Sequence, residues 1–223
     1  DLLIAGDNGS TGFTLFGGEG TDTVRFTEAA NGDDAFFNNS TSIEAVDFKN
    51  SNNDLLTLGS NAQAAGVVSA KVDGTTGDIT ASAYTSAVGV TLTAGTTTSD
   101  LTGGAGADTL VGGVGNNVLT TGLGNDVLTG DTGVDTFTVN GNAAQTVTIT
   151  DLGNGNDGLV TSATATVNAT VSNATGFVAA DQNNLGVVNV TITDGVINNQ
   201  TVTFSAVGDG GTETGFNISS AAN

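Results

Sequence analysis

Aspartate or asparagine recurs at the sixth position of four contiguous nine-residue units over residues 103–138, which read GGAGADTLV, GGVGNNVLT, TGLGNDVLT and GDTGVDTFT. Glycines at the first, second and fourth positions allow positive φ angles and a tight turn, which points backbone carbonyl oxygens inward. The sixth-position side chain adds a carboxylate in three of the four units. Ca²⁺ takes about six to eight oxygen ligands, more than one such loop can offer, so two loops must share each ion.

The apolar eighth position of each unit predicts the elements that carry these loops. Six apolar residues stand nine residues apart: Leu92, Leu101, Leu110, Leu119, Leu128 and Phe137. This strict register predicts short strands around a core, in a regular coil that begins near residue 85. We therefore divide the chain into a β-rich segment at 1–84, a coil with cation-binding loops at 85–160 and a second β-rich segment at 161–223.

The amino-acid composition narrows the choice of metal ion and partner. A net charge of −20, from 23 acidic and three basic residues, opposes compaction unless a cation offsets it. The same charge argues against nucleic acid or an anionic membrane as a partner, and no apolar run is long enough to span a bilayer. Zinc and copper sites need His or Cys, which the chain lacks, so calcium is the expected metal. Because the sequence begins at Asp1 without Met, we expect a piece of a longer protein.

Two further stretches repeat the pattern outside the tandem block. Residues 17–25 read GGEGTDTVR, a complete repeat with Asp22 at the sixth position, although no partner loop 18 residues away is evident. Residues 153–159 read GNGNDGL and include Asp157. We predict that Asp157 and the preceding Asp151 hold a capping ion at the end of the coil, since terminal repeats are atypical. A metal-free turn is the alternative at all three aspartates.

These units resemble the glycine-rich nonapeptide repeats of the repeats-in-toxin (RTX) family, a calcium-binding β-helix motif. The resemblance implies an all-β fold, a right-handed parallel β-roll or β-solenoid with calcium-binding turns, flanked here by additional β segments. It also implies that loops two repeats apart stack, which pairs Asp108 with Asp126 and Asn117 with Asp135. The implied ligands of the first pair include carbonyl groups of Gly103, Ala105, Gly122 and Gly124.

The second pair is predicted to bind more weakly. Asn117 replaces one aspartate, and Asp131 stands where a glycine is usual. Asp131 could restore the ligand charge, but we expect the glycine geometry to be lost there. By the same resemblance, the other ligand positions of this site are Gly112, Val114 and Gly133.

The flanking segments predict strands and no catalytic chemistry. Val188, Val190 and Ile192 alternate with other residues, Asp194-Gly195 supplies a turn, and Val202 and Phe204 follow, which predicts a β-hairpin. We predict no helix, because Gly is frequent and strong helix formers are few. Asp33 and Asp34 would point to opposite faces of a strand, so they cannot flank one glycosidic bond. No His is present to activate a Ser, and we expect no enzyme.

Two functions of different class remain open. The richness in Thr, Asn, Ala, Gly and Val with few lysines resembles bacterial surface-layer proteins, which implies an extracellular structural protein that assembles with copies of itself into a surface lattice or filament. Such a protein could also contact cell-surface polysaccharide through another region. The alternative is the folding and secretion module of an enzyme, toxin or adhesin exported by type I secretion. Repeats dispersed from Gly17 to Gly103 favour the structural reading.

Overall fold

The computed structural model describes residues 1–5, 14–27, 32–49, 54–72, 74, 76–96, 98–140, 144–161, 166–171, 177–181, 187–192, 202–206 and 216–220. Its strands form two parallel sheets, which we call the large sheet and the small sheet. The large sheet contains, in spatial order, β1 (Leu2–Ala5), β2 (Thr23–Phe26), β3 (Ala45–Phe48), β5 (Ser69–Val72), β7 (Thr91–Thr93), β9 (Thr109–Val111), β11 (Val127–Thr129), β13 (Thr146–Ile149), β15 (Thr166–Val171), β17 (Val187–Ile192) and β19 (Phe216–Ser220).

The small sheet contains, in spatial order, β4 (Asp54–Thr57), β6 (Gly77–Thr80), β8 (Asp100–Thr102), β10 (Val118–Thr120), β12 (Thr136–Val139), β14 (Asp157–Thr161), β16 (Phe177–Asp181) and β18 (Val202–Ala206). From β4 onward, successive strands alternate between the two sheets, so each coil of the chain gives one strand to each. This is the predicted all-β parallel solenoid.

The nine-residue register lines the interior of the solenoid. Leu92, Leu110 and Leu128 are in-register neighbours in the large sheet, and Leu101, Leu119 and Phe137 are in-register neighbours in the small sheet. All six side chains are fully buried. Strands of three residues suffice here, because the two outer residues face outward and the central one fills the core. The predicted role of the eighth position is confirmed.

The coils before residue 85 use a different core. Phe26, Phe36, Phe37 and Phe48 are buried, and the rings of Phe26 and Phe36 pack edge to face with centroids 4.6 Å apart. Phe36 and Phe37 belong to a 3-10 helix at Asp34–Phe37. The large sheet continues through these coils, since β3, β5 and β7 are neighbours in it.

The prediction of no helix is wrong for six residues. Helix α1 (Ser60–Ala65) buries Ala62 and Ala65 and ends at Gly66, whose φ of 104° is left-handed. The Asp34 carboxylate accepts hydrogen bonds from the amides of Gly59, Asn61 and Ala62, so it satisfies donors that the first turn leaves free. A helix this short shows no apolar period in the sequence. No helix in the described part of the chain is long and apolar enough to cross a membrane.

The predicted hairpin is also wrong. Strand β17 pairs with β15 and β19 in the large sheet, whereas β18 pairs with β16 in the small sheet, and every one of these pairs is parallel. Asp194 and Gly195 lie outside the described residues. An alternating strand pattern is the same for either kind of pairing, so it could not distinguish a hairpin from successive sides of a coil. Strands also pair across residues 84 and 160, for example β5 with β7 and β13 with β15. The division of the chain into three segments remains a prediction.

The buried register gives a stability prediction. Leu119→Ala should lower the free energy of unfolding by about 2–5 kcal/mol, because it leaves a cavity between fully packed neighbours. Urea unfolding followed by circular dichroism in calcium measures this loss. Leu123→Ala is the matched control, because Leu123 is 49% exposed in a loop. Equal losses in the two variants would contradict the assignment of the core.

Candidate metal centre

Two rows of stacked loops connect the sheets. Loops 103–108 and 121–126 lead from the small sheet to the large sheet and form the first edge; loops 112–117, 130–135 and 150–157 lead back and form the second edge. Where the backbones of two stacked loops approach each other closely, only glycine fits. A Cβ atom on Gly122 would collide with the Gly104 carbonyl, and one on Gly133, whose φ is 150°, would collide with the Gly115 carbonyl.

On the first edge, the structure brings Asp108 and Asp126 together. The Asp108 amide donates to Oδ1 of Asp126 at 2.9 Å, and Oδ1 of Asp108 in turn accepts from the Val90 amide at 2.8 Å. Oδ2 of Asp108 accepts from the Gly104 amide at 2.7 Å within its own loop. Each of these carboxylates therefore accepts a hydrogen bond from an amide of the coil before it, and the sixth-position residues form a continuous row.

The second edge repeats this row with one amide side chain. The Asn117 amide donates to Oδ1 of Asp135 at 2.8 Å, and the Asn117 side chain accepts from the Ser99 amide at 2.9 Å. The row extends to Asp157, whose Oδ1 accepts from the Asp135 amide at 2.9 Å although the two residues are 22 positions apart. Asp157 thus occupies the next position in the row.

The carboxylates of both rows fit a bound cation. Asp108, Asp126, Asp135 and Asp157 are almost fully buried, and Oδ2 of both Asp126 and Asp135 is buried without a hydrogen-bond partner. Burial raises the pKa of Asp126, Asp135 and Asp157 to about 6 and also raises the pKa of Asp108. No Lys, Arg or His follows Lys71 in the sequence, so no basic side chain of this region can neutralise them. Asp126 and Asp135 are therefore the side chains best placed to bind Ca²⁺.

The remaining predicted ligands are backbone groups of the same loops. The backbone of Gly122 lies close to that of Gly103, and the backbone of Gly112 lies close to that of Gly130. Val114 forms a parallel bridge with Thr132. Ala105 donates its amide to the Tyr84 carbonyl at 3.0 Å, and Gly124 approaches Gly106. No three acidic side chains come together as a metal-binding group within the described residues. Ion binding here depends on carbonyl oxygens as well as carboxylates.

The expected loss of glycine geometry at Asp131 is wrong. Asp131 has a φ of 67°, close to the 79° of Gly113 at the equivalent position of the loop below it. Aspartate tolerates the left-handed region better than most residues because its short side chain bonds locally. The Asp131 carbonyl accepts from the Asn154 side chain at 2.8 Å. The second edge therefore keeps the turn despite the substitution.

Asp151 lies on the second edge and binds backbone amides. Its two oxygens accept from Gly130 at 2.9 Å and from Asp131 at 2.7 Å. Burial raises the pKa of Asp151, and the Asp131 carboxylate raises it further. Asp151 thus fixes the start of loop 130–135, and its role in a capping ion site with Asp157 remains a prediction.

Asp22 has a stacking partner that the sequence did not reveal. Asp22 precedes β2 as Asp108 precedes β9, and it is fully buried. Its amide donates to Oε2 of Glu44 at 2.8 Å, the same bond that links Asp108 to Asp126. Glu44 lies 22 residues further on, in a loop without a glycine motif. Searching at the 18-residue spacing of the tandem block could not find it.

The unequal carboxylates of the two edges predict unequal sites. Asp126→Ala should reduce calcium affinity and the melting temperature more than Asn117→Ala, because it removes a charged ligand with an unpartnered buried oxygen. Titration calorimetry and thermal unfolding in calcium compare the variants. Equal effects of the two substitutions would show that the ranking is wrong.

The raised pKa values predict opposite pH effects with and without calcium. The ordinary pKa of Asp is about 4, so between about pH 6 and pH 4 the metal-free folded state binds protons that the unfolded chain does not. The melting temperature in chelator should therefore rise as the pH falls from 7 to 5. Calcium needs ionised ligands, so its stabilising effect should shrink over the same interval.

Thermal unfolding at several pH values, in chelator and in calcium, measures both trends. The double variant Asp126→Asn, Asp135→Asn is the control, because it should lose much of the rise in chelator. A melting temperature in chelator that falls steadily from pH 7 to pH 5 would contradict the prediction.

Comparison with known proteins agrees with this geometry. The family model of the RTX calcium-binding nonapeptide repeat matches residues 102–137 in four copies. No curated protein and no solved structure shows significant similarity to the chain. RTX repeats bind calcium between stacked turns, and the two rows of loops supply such turns. The chain therefore carries RTX calcium-binding nonapeptide repeats, folded as part of a parallel β-solenoid.

Proposed function

We propose that this calcium-binding β-roll is a non-catalytic, extracellular structural module that assembles with copies of itself, as a cell-surface layer or a filament. Calcium held at the two edges completes the fold, and the outer faces of the sheets supply the contacts between copies. An attachment to cell-surface polysaccharide would use another region. Export before folding, as in type I secretion, suits a chain whose carboxylates need a cation that the cytosol holds at low concentration.

The observation that carries this proposal is a row of threonines on the outer face of the small sheet. Thr80, Thr102, Thr120 and Thr138 are in-register neighbours on β6, β8, β10 and β12, and each is half-buried. In the large sheet, the neighbours Thr91 and Thr109 begin a similar row. These rows carry no charge, so they can pack against another copy without bringing carboxylates together.

The threonine row is the uncharged part of the outer face of the small sheet. Asp78 and Asp100 lie on the same face of β6 and β8, beside the row. The buried carboxylates of the stacked loops lie on the two edges instead. Two copies this acidic would repel over a Debye length of about 8 Å in physiological salt. Calcium at the edges reduces that repulsion, whereas the threonine row provides a regular, uncharged stripe. Assembly should therefore depend on calcium.

The second candidate is a folding and secretion module of an exported enzyme, toxin or adhesin. The shortness of the tandem block, with four copies over residues 102–137, favours it. Such a module needs calcium to fold but needs no contact between copies. The state of the folded protein in calcium therefore separates the two functions.

Assembly is predicted to require calcium and to be weakened by one charge added to the threonine row. In chelator at pH 7 the circular dichroism spectrum should show less β structure and a lower melting temperature than in calcium, and millimolar calcium should restore both and produce ordered sheets or filaments visible by electron microscopy. Thr120→Lys should leave the calcium-induced β signal unchanged and reduce assembly, because it places a charge in the centre of the threonine row.

Ala83→Lys is the matched control, since it adds the same charge at an exposed turn outside the sheets. It should assemble like the original chain. Folded protein that stays monomeric in millimolar calcium would contradict the structural proposal and favour the secretion module. A spectrum that chelator does not change would contradict calcium-dependent folding itself.

A further inference from the structure

Asp22 carries the least satisfied buried carboxylate among the described side chains of the first coils. It is fully buried, and no side chain or backbone amide donates a hydrogen bond to either of its oxygens. Burying an ionised carboxylate is costly unless a cation or several donors compensate it. Arg25, the nearest basic residue in the sequence, donates through Nε to Asp47 at 2.6 Å. The protein's own side chains therefore leave Asp22 without a compensating charge.

The loops around Asp22 have the architecture of the tandem sites. The Gly17 amide donates to the Thr41 carbonyl at 3.1 Å, and Phe16 bridges to Thr41, so loop 15–22 stacks on loop 39–44. A Cβ atom on Gly17 would collide with the Ser42 carbonyl and with the Asp22 side chain. The second loop has no glycine, but Ser42 has a φ of 58° and supplies the left-handed turn.

We infer that Asp22 and Glu44 form a separate calcium site, built from one glycine-rich loop and one glutamate of a loop that lacks the motif. Glu44 supplies the second carboxylate in the position that Asp126 takes beside Asp108. The oxygen donors, two carboxylates and loop carbonyls, suit Ca²⁺ better than a softer metal. The site lies outside residues 102–137, so it does not depend on the tandem block. It rests on the proposed calcium binding only for the choice of ion.

Counting bound calcium tests the inference. Equilibrium dialysis with radioactive calcium should show one ion fewer per chain in Asp22→Asn and in Glu44→Gln than in the original chain. Asp33→Asn is the control, because Asp33 is an exposed carboxylate that caps the 3-10 helix and asparagine can cap equally well. Its stoichiometry should not change. Asp126→Ala should lose calcium from the tandem block while the Asp22 site still fills.

Unchanged stoichiometry in Asp22→Asn and Glu44→Gln, with calcium still bound to the tandem block, would overturn the inference and leave the proposed function intact. Absence of calcium binding in the original chain would overturn both.

Discussion

Burial of ionised carboxylates without a protein cation is the constraint on which the rest of the structure depends. Each sixth-position aspartate bonds the amide of the preceding coil, and this bond draws the carboxylate between two turns, away from water. The pKa values near 6 of Asp126 and Asp135 reflect the resulting cost of the charge. A bound Ca²⁺ would convert that cost into stabilisation, because the same carboxylates would become its ligands. Stability and ion binding would then be one equilibrium.

The row of carboxylates tolerates coils of different length. Asp108 and Asp126 are 18 residues apart, whereas Asp135 and Asp157 are 22 apart, yet the same amide-to-carboxylate bond links each pair. The strands hold their register, and extra residues go into the connections. Asp22 and Glu44 follow the longer spacing. The solenoid therefore brings acidic side chains of adjacent coils together both inside and outside the tandem repeat.

Charge is unevenly distributed over the solenoid. The buried carboxylates of the stacked loops line the two edges, while the outer face of the small sheet presents the uncharged row from Thr80 to Thr138, with Asp78 and Asp100 beside it. Arg25 and Lys71, two of the three basic residues, lie on either side of Asp47 in the large sheet. Under the proposed function, the threonine row would supply the contacts between copies and the edges would bind calcium.

The nine-residue period of the sequence predicted the buried row from Leu92 to Phe137, because it gives the apolar residue one place in each coil. The resemblance of the repeats to the RTX family supplied the parallel solenoid and the pairing of Asp108 with Asp126. Where the period lapses, local patterns were insufficient. The alternating residues around Val188 and Val202 could not distinguish a hairpin from strands of two sheets. The residue type at position 131 did not reveal that the backbone of Asp131 keeps the left-handed turn. Only the tertiary structure placed Glu44 beside Asp22, because stacking depends on strand register and not on the number of residues between strands.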